Sequence, residues 1–250
     1  MKFPPLRHGI LACFYTAELK FSLRIKSYQS FFMQKLLIRI GIVCDVVCPW
    51  SYIGKRRLEK AMELTADTFD FEIEYFPFEL NPHIPDEGVD RRDYLIRKFG
   101  SELKFHELTE HVNRIAAREQ LRFNLELQHT SPNTRNIHRI ILFARETGRQ
   151  VEVVEAFFRA YFTDAVDLTR IENLVDIAAH AGLDRNKIEQ LLHSSAGKVE
   201  IEMAEKELKD LGITSVPLFI VEHKFPIAGA QSVEAFTRTF EEAAMVAHSS

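Results

Sequence analysis

Cysteine is scarce in this sequence, which contains only Cys13, Cys44 and Cys48 among its 250 residues. An odd and low cysteine count argues against a small secreted domain held together by disulfides. Cys44 and Cys48 also lack further cysteine or histidine residues at metal-binding spacing, which disfavours a zinc site. We therefore expect no tightly bound cofactor, and any chemistry of these cysteines has to come from their local surroundings.

Long apolar runs and long basic runs are missing as well. No stretch of about 18 or more apolar residues occurs, so no membrane-spanning helix and no membrane partner are expected. The net charge is −4, and without a basic cluster the chain is not expected to bind nucleic acid. Hydrophobic residues make up 46% of the chain, which is enough for a sizeable core and one or two domains.

Residues 1–35 differ from the rest of the chain. They carry six Lys and Arg residues against Glu18 alone, a net charge of +5. The apolar segment Ile10–Tyr15 is short for a secretory signal and has no convincing cleavage site. A cleaved organelle-targeting segment and a translation start at Met33 both stay open. We expect a basic, poorly ordered extension in which Cys13 has no catalytic role, and a cytoplasmic protein, with organelle targeting by this segment left open.

The segment after residue 35 predicts a strand, a helix and a second strand. The run Leu36–Val43 is rich in β-branched residues and predicts a buried strand, and a helix is predicted to follow as far as about Leu64. Apolar Phe71, Ile73 and Tyr75 alternate with glutamates. This alternation is typical of a half-buried strand.

The remaining chain is helical in pattern until two more strands appear near its end. Residues 91–211 contain apolar residues at helical spacing in segment after segment. Leu218–Val221 and Phe225–Ala228 predict two short strands before a last helix. The predicted architecture is an α/β core built from residues 36–90 and 212–250, with a helical domain inserted between its two halves.

The stretch Cys48–Ser51 lies where the first predicted strand gives way to the first predicted helix. Pro49 suits the first helical position, where its missing N–H is no loss, so Cys48 is placed at the helix N-terminus. Free amides and the positive end of the helix dipole favour an anion there. We therefore predict that the pKa of the Cys48 thiol lies below the free value of roughly 8.5, which makes it a nucleophile near neutral pH.

A strand, a cysteine, two residues and a helix form the layout of thioredoxin-type redox sites, but Ser51 stands where a second cysteine is expected. The Ser51 hydroxyl can stabilise a Cys48 thiolate by donating a hydrogen bond. It cannot attack a mixed disulfide, so such an intermediate should persist until an outside thiol arrives. Cys44 would lie on the order of 13 Å away if the strand continued, beyond disulfide reach, and we interpret it as a packing residue.

The segment Thr214–Pro217 directly precedes the third predicted strand. A proline that opens a strand costs no ladder hydrogen bond. Together with the Cys48 turn the segment is informative, because thioredoxin-like folds carry a cis-proline that faces the active cysteine. The backbone N–H and C=O groups of Val216 would then be offered to an extended thiol substrate.

These residues carry a resemblance to a known family. Asp45–Arg56 resembles the active-site signature of DsbA-type oxidoreductases of the FrnE-like branch. Further matches are Phe78–Pro82, Pro132–Thr134, His138–Arg139, Phe158–Phe162, Val216–Pro217 and Gly229–Gln231. The resemblance spans about residues 36–245. It implies a thioredoxin-like fold, with a mixed four-stranded sheet and an inserted α-helical domain, and thiol–disulfide chemistry in which Cys48 is the nucleophile and Pro217 the cis-proline.

The resemblance extends to 2-hydroxychromene-2-carboxylate isomerases and kappa-class glutathione transferases, which hold glutathione in this region. In those relatives a serine stands at the position of Cys48 itself, so this chain lies between the two groups. It implies glutathione as a co-substrate, with Pro49, Trp50 and Asn81 as further candidate contacts. Asn81 is otherwise a turn residue, and His138 is interpreted as an interface histidine rather than a base.

Gly229, Ala230 and Gln231 have two open interpretations. They precede the last predicted helix, whose N-terminus could hold a glutathione carboxylate. The alternative is a simple helix cap around Ser232. Neither interpretation is preferred by the sequence.

The sequence alone leaves three functions open. The first is an oxidoreductase with a single active-site cysteine that acts on a small thiol or on a disulfide-containing protein or peptide and is resolved by glutathione. The second is a glutathione-dependent isomerase or transferase in which the helical insert covers an apolar or electrophilic substrate. The third is a non-catalytic peptide-binding module beside Pro217. A homodimer is compatible with each.

Overall fold

The computed structural model describes residues 35–248, with side chains to residue 246. The predictions for the basic N-terminal extension and for Cys13 lie outside the described residues. Strand β1 comprises Leu36–Cys44, helix α1 Pro49–Leu64 and strand β2 Phe69–Pro77. The predicted strand–helix–strand unit is therefore confirmed, including the helix end at Leu64.

The thioredoxin-like prediction for the sheet is confirmed. The third and fourth strands of the main sheet are β5, Leu218–Val221, and β6, Phe225–Ala228. The four strands lie in the order β2-β1-β5-β6, and β1 with β5 and β5 with β6 pair antiparallel. Because β1 lies at the centre, the turn that follows it emerges in the middle of the sheet edge.

Eight further α-helices belong to the described part of the chain, seven of them between β2 and β5. The bounds are Arg91–Phe99 (α2), Glu102–Arg118 (α3), Arg135–Glu146 (α4), Gln150–Phe162 (α5), Ile171–His180 (α6), Arg185–Leu192 (α7), Lys198–Asp210 (α8) and, after β6, Val233–His248 (α9). A 3-10 turn forms at Leu125–Leu127. The boundaries proposed for a separate helical domain stay a prediction.

A two-stranded ribbon within the helical region was not predicted. Val89–Asp90 (β3) pairs antiparallel with Thr130–Ser131 (β4). Two residues are too few to show an alternating pattern, which explains why the sequence does not reveal the ribbon. It matters for the site because α2 begins directly after β3, so the ribbon fixes the start of that helix.

The core between the sheet and helices α1 and α9 contains aromatic side chains. Phe219 of β5 is fully buried and meets Phe236 of α9 edge to face, with ring centroids 4.9 Å apart. Gly54 of α1 packs against the same ring, and a Cβ there would lie 2.9 Å from Phe219 Cζ. The absence of a side chain at Gly54 therefore lets α1 lie close to the sheet. Within the described residues, no helix combines the length and apolarity that crossing a bilayer requires.

Candidate active site

The turn between β1 and α1 presents Cys48 as the first residue before a helix. The Cys48 N–H donates to the Asp45 carbonyl at 3.0 Å, which closes the turn, and Pro49 is the first helical residue. The Cys48 carbonyl accepts the Ser51 N–H at 3.0 Å. Cys48 thus lies where the unpaired amides of α1 begin, as the sequence predicts.

The Cys48 sulfur faces the segment that precedes β5. The Val216–Pro217 peptide bond is cis, and the Cys48 thiol lies 3.7 Å from the Val216 carbonyl oxygen, to which it donates. Pro217 is buried at the start of the strand, and its carbonyl accepts the Gly229 N–H at 2.8 Å. The cysteine and the proline-led strand are therefore neighbours in the fold although 168 positions separate Cys48 from Val216 in the chain.

The predicted lowering of the Cys48 pKa is wrong for this structure. Cys48 is only 3% exposed, and burial raises the pKa of its thiol above the usual value. The nearby Ser51 hydroxyl and the amides of Ser51 and Trp50 favour the thiolate and act in the opposite direction, while the charge of Asp45 adds to the increase. The helix N-terminus does stabilise the thiolate, but the loss of hydration outweighs it because helices cover the sulfur.

Ser51 occupies the position at which a resolving cysteine is expected. The residue is 2% exposed, and its Oγ makes no well-formed hydrogen bond with any described group. A buried hydroxyl without a settled partner is free to rotate toward a thiolate on Cys48 when one forms. Ser51 therefore influences the pKa of the Cys48 thiol, but its hydroxyl cannot displace a thiol that is bound to Cys48 as a mixed disulfide.

Cys44 does not replace the missing second sulfur. It ends β1, is buried, and both Cys44 and Cys48 are free thiols. Burial raises the pKa of Cys44 strongly, and the charges of Asp45 and Cys48 raise it further. A thiol that stays protonated is a poor nucleophile, so Cys44 is suited to packing in the strand.

Asp45 lies beneath the cysteine turn and joins it to the helical region. Its carboxylate is fully buried, and Oδ2 accepts the Leu80 N–H at 2.7 Å and the Thr134 hydroxyl at 3.1 Å. His138 of α4 is also buried, with Nε2 3.7 Å from Asp45 Oδ1. Burial acts to lower the pKa of His138, but the negative charge of the nearby Asp45 carboxylate outweighs burial and raises the pKa overall. His138 is thus tied to the cysteine turn through Asp45.

A cavity of about 320 Å³ opens beside Cys48. It is lined by Val47, Cys48, Pro49, Trp50, Leu80, Asn81, Arg91, Leu95, Lys98, Phe99, Leu108, Thr109, Val112, Leu125, Ser131, Pro132, Tyr161, Phe162 and Val216. Most of these residues are apolar, and they come from the cysteine turn, α2, α3, the ribbon and α5. The helical region therefore provides an apolar wall opposite the sulfur. The volume of the cavity suits a small organic molecule.

Asn81 lies on this cavity and is held in place by α2. Its Oδ1 accepts the Tyr94 hydroxyl at 2.8 Å and Lys98 Nζ at 2.6 Å. Burial lowers the pKa of Lys98, while the charge of Asp45, and that of Cys48 when it is a thiolate, act to raise it, so the Lys98 ammonium favours the thiolate form of the sulfur. Neither Tyr94 nor Lys98 was singled out in the sequence, because charged and aromatic residues on a surface helix carry no local signal of a site.

The predicted site residues fall into two groups. Cys48, Pro49, Trp50, Asn81 and Val216 line one cavity. Gly229, Ala230 and Gln231 are not among its lining residues and lie beyond Pro217. Ser232 caps α9 by accepting the Ala235 N–H at 3.3 Å, and the Ala230 carbonyl accepts Arg57 Nη1 at 2.6 Å. A role for this second group in binding glutathione stays a prediction. Within residues 35–246, no group of three His, Cys, Asp or Glu side chains is arranged to hold a metal ion.

Comparisons with known proteins agree with this geometry. The family model of the DSBA-like thioredoxin domain matches residues 39–241. A probable DsbA oxidoreductase from Streptomyces coelicolor is 30% identical with a TM-score of 0.76, over 82% of this chain and 89% of that one. A 2-hydroxychromene-2-carboxylate isomerase is 16% identical with a TM-score of 0.61, over 85% and 99% of the two chains. The cytosolic disulfide reductase DsbM from Pseudomonas aeruginosa, solved with GSH, is 13% identical with a TM-score of 0.56, over 84% and 98%. The last two likenesses concern the fold alone.

Proposed function

Because the chain belongs to the DSBA-like thioredoxin domain family, we propose that it is a thiol–disulfide oxidoreductase that works with one active-site cysteine, Cys48, and with glutathione as the resolving thiol. The observation that carries the proposal is the pairing of a cysteine at a helix N-terminus with a serine at the resolving position, opposite the cis Val216–Pro217 bond. The remaining described cysteine, Cys44, stays buried and protonated in β1.

The proposed reaction has two exchange steps. The Cys48 thiolate attacks the glutathione sulfur of a mixed disulfide between glutathione and a substrate thiol, so that a Cys48–glutathione disulfide forms and the substrate leaves as a thiolate. The thiolate of a second glutathione then attacks the bound glutathione sulfur. This step releases oxidised glutathione and returns Cys48 as a thiolate, so each turnover consumes one reduced glutathione and converts the mixed disulfide into a free substrate thiol and oxidised glutathione.

The raised pKa of Cys48 sets the pH dependence of this reaction. At neutral pH the thiol is mostly protonated, because burial favours the neutral form. Attack requires the thiolate, so the rate of the first step should increase with pH beyond the point at which an ordinary free thiol is already ionised. The Ser51 hydroxyl and the amides of Ser51 and Trp50 reduce this penalty without removing it.

Glutathione fits the proposal on two grounds. The mixed disulfide on Cys48 has no internal thiol to resolve it, so an outside thiol is required, and glutathione is the abundant small thiol of reducing compartments. Asn81 and Val216 line the same cavity as Cys48, and their polar groups are candidates for hydrogen bonds to a peptide-like ligand. The similarity in fold to the GSH-bound disulfide reductase is consistent with this choice.

The test is a coupled assay with a glutathionylated peptide, reduced glutathione, glutathione reductase and NADPH. Cys48→Ser should abolish NADPH consumption above the uncatalysed rate, while Cys44→Ala should retain it because that sulfur takes no part. Equal activity in Cys48→Ser and in the unmodified protein would refute the oxidoreductase proposal.

A second function is favoured by one specific observation. Cys48 is held as a neutral thiol that donates to Val216 O beside an apolar cavity. A neutral donor in that place can orient the sulfur of a bound glutathione, which would itself attack an electrophilic small molecule in an isomerase or transferase reaction. Retention of glutathione-dependent turnover of a chromene-type or electrophilic substrate by Cys48→Ser, where the serine hydroxyl can still donate, would favour this second function over the first.

A further inference from the structure

His138 of α4 is a buried base that the proposed exchange steps do not use. The residue is 2% exposed, and its Nε2 forms no hydrogen bond with any described group. Asp45 Oδ1 lies 3.7 Å from this nitrogen, and among the basic side chains of residues 35–246 only His138 lies within ion-pair distance of Asp45. Because burying an unpaired carboxylate is costly, the imidazolium is the group that neutralises Asp45.

Asp45 also belongs to the turn that carries the sulfur. Its carbonyl accepts the Cys48 N–H at 3.0 Å, and its Oδ1 accepts the Val47 N–H at 3.4 Å. The Leu80 amide and the Thr134 hydroxyl hold the other carboxylate oxygen. The carboxylate is therefore fixed close to Cys48, where its negative charge disfavours a second negative charge on the sulfur.

Carboxylates from three segments act on the imidazole. Besides Asp45 they belong to Glu79, which follows β2, and to Glu205 of α8. Glu79 pairs with Arg135 at 2.9 Å, and Glu205 accepts the Glu79 N–H at 2.6 Å. Burial acts to lower the pKa of His138, but the surrounding negative charges outweigh burial and raise it. The imidazole therefore stays protonated to a higher pH than a free histidine does.

Other titratable groups face the sulfur from different sides. Cys44 ends β1, and the cavity beside Cys48 is also lined by Arg91 and Lys98 of α2 and by Tyr161 of α5. Arginine stays charged, and burial raises the pKa of Cys44 and of Tyr161, so these three groups keep their charge near neutral pH. Burial lowers the pKa of Lys98, so the test below includes a variant of this residue.

We propose that His138 is a positioning residue for the Cys48 reaction, because its imidazolium neutralises Asp45 and thereby favours the reactive thiolate. When His138 loses its proton, the Asp45 charge acts on the sulfur without compensation, and the thiolate becomes less favourable. His138 is not among the residues that line the cavity, so it acts on the sulfur through Asp45. The inference rests on the proposed function, since it concerns the sulfur on which that function depends.

The test is the rate of iodoacetamide alkylation of Cys48 as a function of pH, followed by peptide mass spectrometry. A thiol that titrates alone reacts about tenfold faster for each pH unit below its pKa. Here the rate should increase in that way on either side of the His138 titration and less steeply across it. The two branches should be offset by about tenfold, which is the effect of one unit charge at roughly 10 Å when the effective dielectric constant is about 20. A straight profile of the unmodified protein, without this break, would overturn the proposal.

His138→Gln removes the titrating charge. Its profile should be straight and should coincide with the alkaline branch of the unmodified protein, so alkylation below the break should slow about tenfold. His111→Gln is the matched control, because exposed His111 lies beside the Cys48 turn, with ring centroids 5.9 Å from Trp50. It should keep the break. A break that survives in His138→Gln, or that disappears in His111→Gln, would overturn the assignment to His138.

Asp45→Asn tests whether His138 acts through Asp45. This variant keeps an oxygen that can accept the Leu80 N–H, and above the break it should react faster than the unmodified protein. Adding His138→Gln to Asp45→Asn should change the rate no further, and a tenfold slowing in the double variant would overturn the proposal. Lys98→Gln should slow alkylation but keep the break. Loosened packing would expose the sulfur and speed alkylation, so the slower reaction expected of His138→Gln cannot come from a loss of structure.

These measurements use neither glutathione nor a disulfide substrate. The break in the profile can therefore be found even where the redox assay fails. A protein that is active in the redox assay but has a straight alkylation profile would overturn the role of His138 and leave the proposed function in place.

Discussion

Replacing Ser51 with alanine separates the tuning of the Cys48 sulfur from the stability of the fold. Ser51 is 2% exposed, and its hydroxyl is the largest of the hydrogen-bonding effects that lower the pKa of Cys48. The hydroxyl makes no well-formed bond in the thiol form, so it acts mainly on the thiolate. Ser51→Ala should therefore change reactivity without changing stability.

The magnitude follows from the strength of a hydrogen bond to a charged group. Such a bond contributes about 1.5–3 kcal/mol, and about 1.4 kcal/mol corresponds to one pKa unit. The pKa of Cys48, already raised by burial, should increase further, and alkylation at a fixed pH below the pKa should slow about 10- to 100-fold. Removing a buried hydroxyl that lacks a partner should leave the melting temperature unchanged or slightly higher.

The assay is the rate of iodoacetamide alkylation of Cys48 as a function of pH, followed by peptide mass spectrometry, together with a thermal melt of each protein. Thr109→Val is the matched control, because Thr109 places another hydroxyl on the same cavity. It should leave the alkylation profile in place. An unchanged profile in Ser51→Ala would show that the hydroxyl does not act on the sulfur, and a large drop in melting temperature would show a structural role instead.

Two further predictions concern the scaffold. Gly54→Ala should lower the free energy of unfolding in urea by about 1–3 kcal/mol, since the new Cβ would lie 2.9 Å from fully buried Phe219; full stability would show that α1 lies farther from the sheet than described. His138 contributes stability that is fully present below the unfolded pKa of about 6.5 and is lost as pH rises through its raised folded pKa. Urea titrations of His138→Gln should therefore show a flatter decrease in stability above about pH 6.5 than the unmodified protein, and identical pH profiles would contradict the Asp45–His138 pairing.

The sequence predicted secondary structure best where the residues of one short segment determine the local conformation. The β-branched run before Cys48, the proline after it and the helical spacing beyond place the cysteine at the start of α1, and the structure agrees. The four strands of the main sheet were predicted in the same way, because each shows an apolar pattern over several residues, whereas their assembly into one mixed sheet was implied by the family resemblance. The ribbon at residues 89–90 and 130–131 was missed because its strands are two residues long.

Properties that depend on burial could not be read from the sequence. The helix N-terminus beside Cys48 was predicted to lower the thiol pKa, but the covering helices remove the sulfur from water and raise it. Arg91 and Lys98 look like ordinary charged residues of a surface helix, and only the folded chain shows that both line the cavity. His138 was expected at an interface, but its pairing with Asp45 becomes visible only when α4 packs beneath the cysteine turn.

The proposed function depends on Cys48 reacting without a second cysteine. Intact-mass analysis after incubation with oxidised glutathione at mildly alkaline pH is the decisive measurement. We expect a single glutathione adduct on Cys48 that persists until reduced glutathione is added and is absent from Cys48→Ser. An adduct on another cysteine, or rapid conversion of the adduct into an internal disulfide, would contradict it.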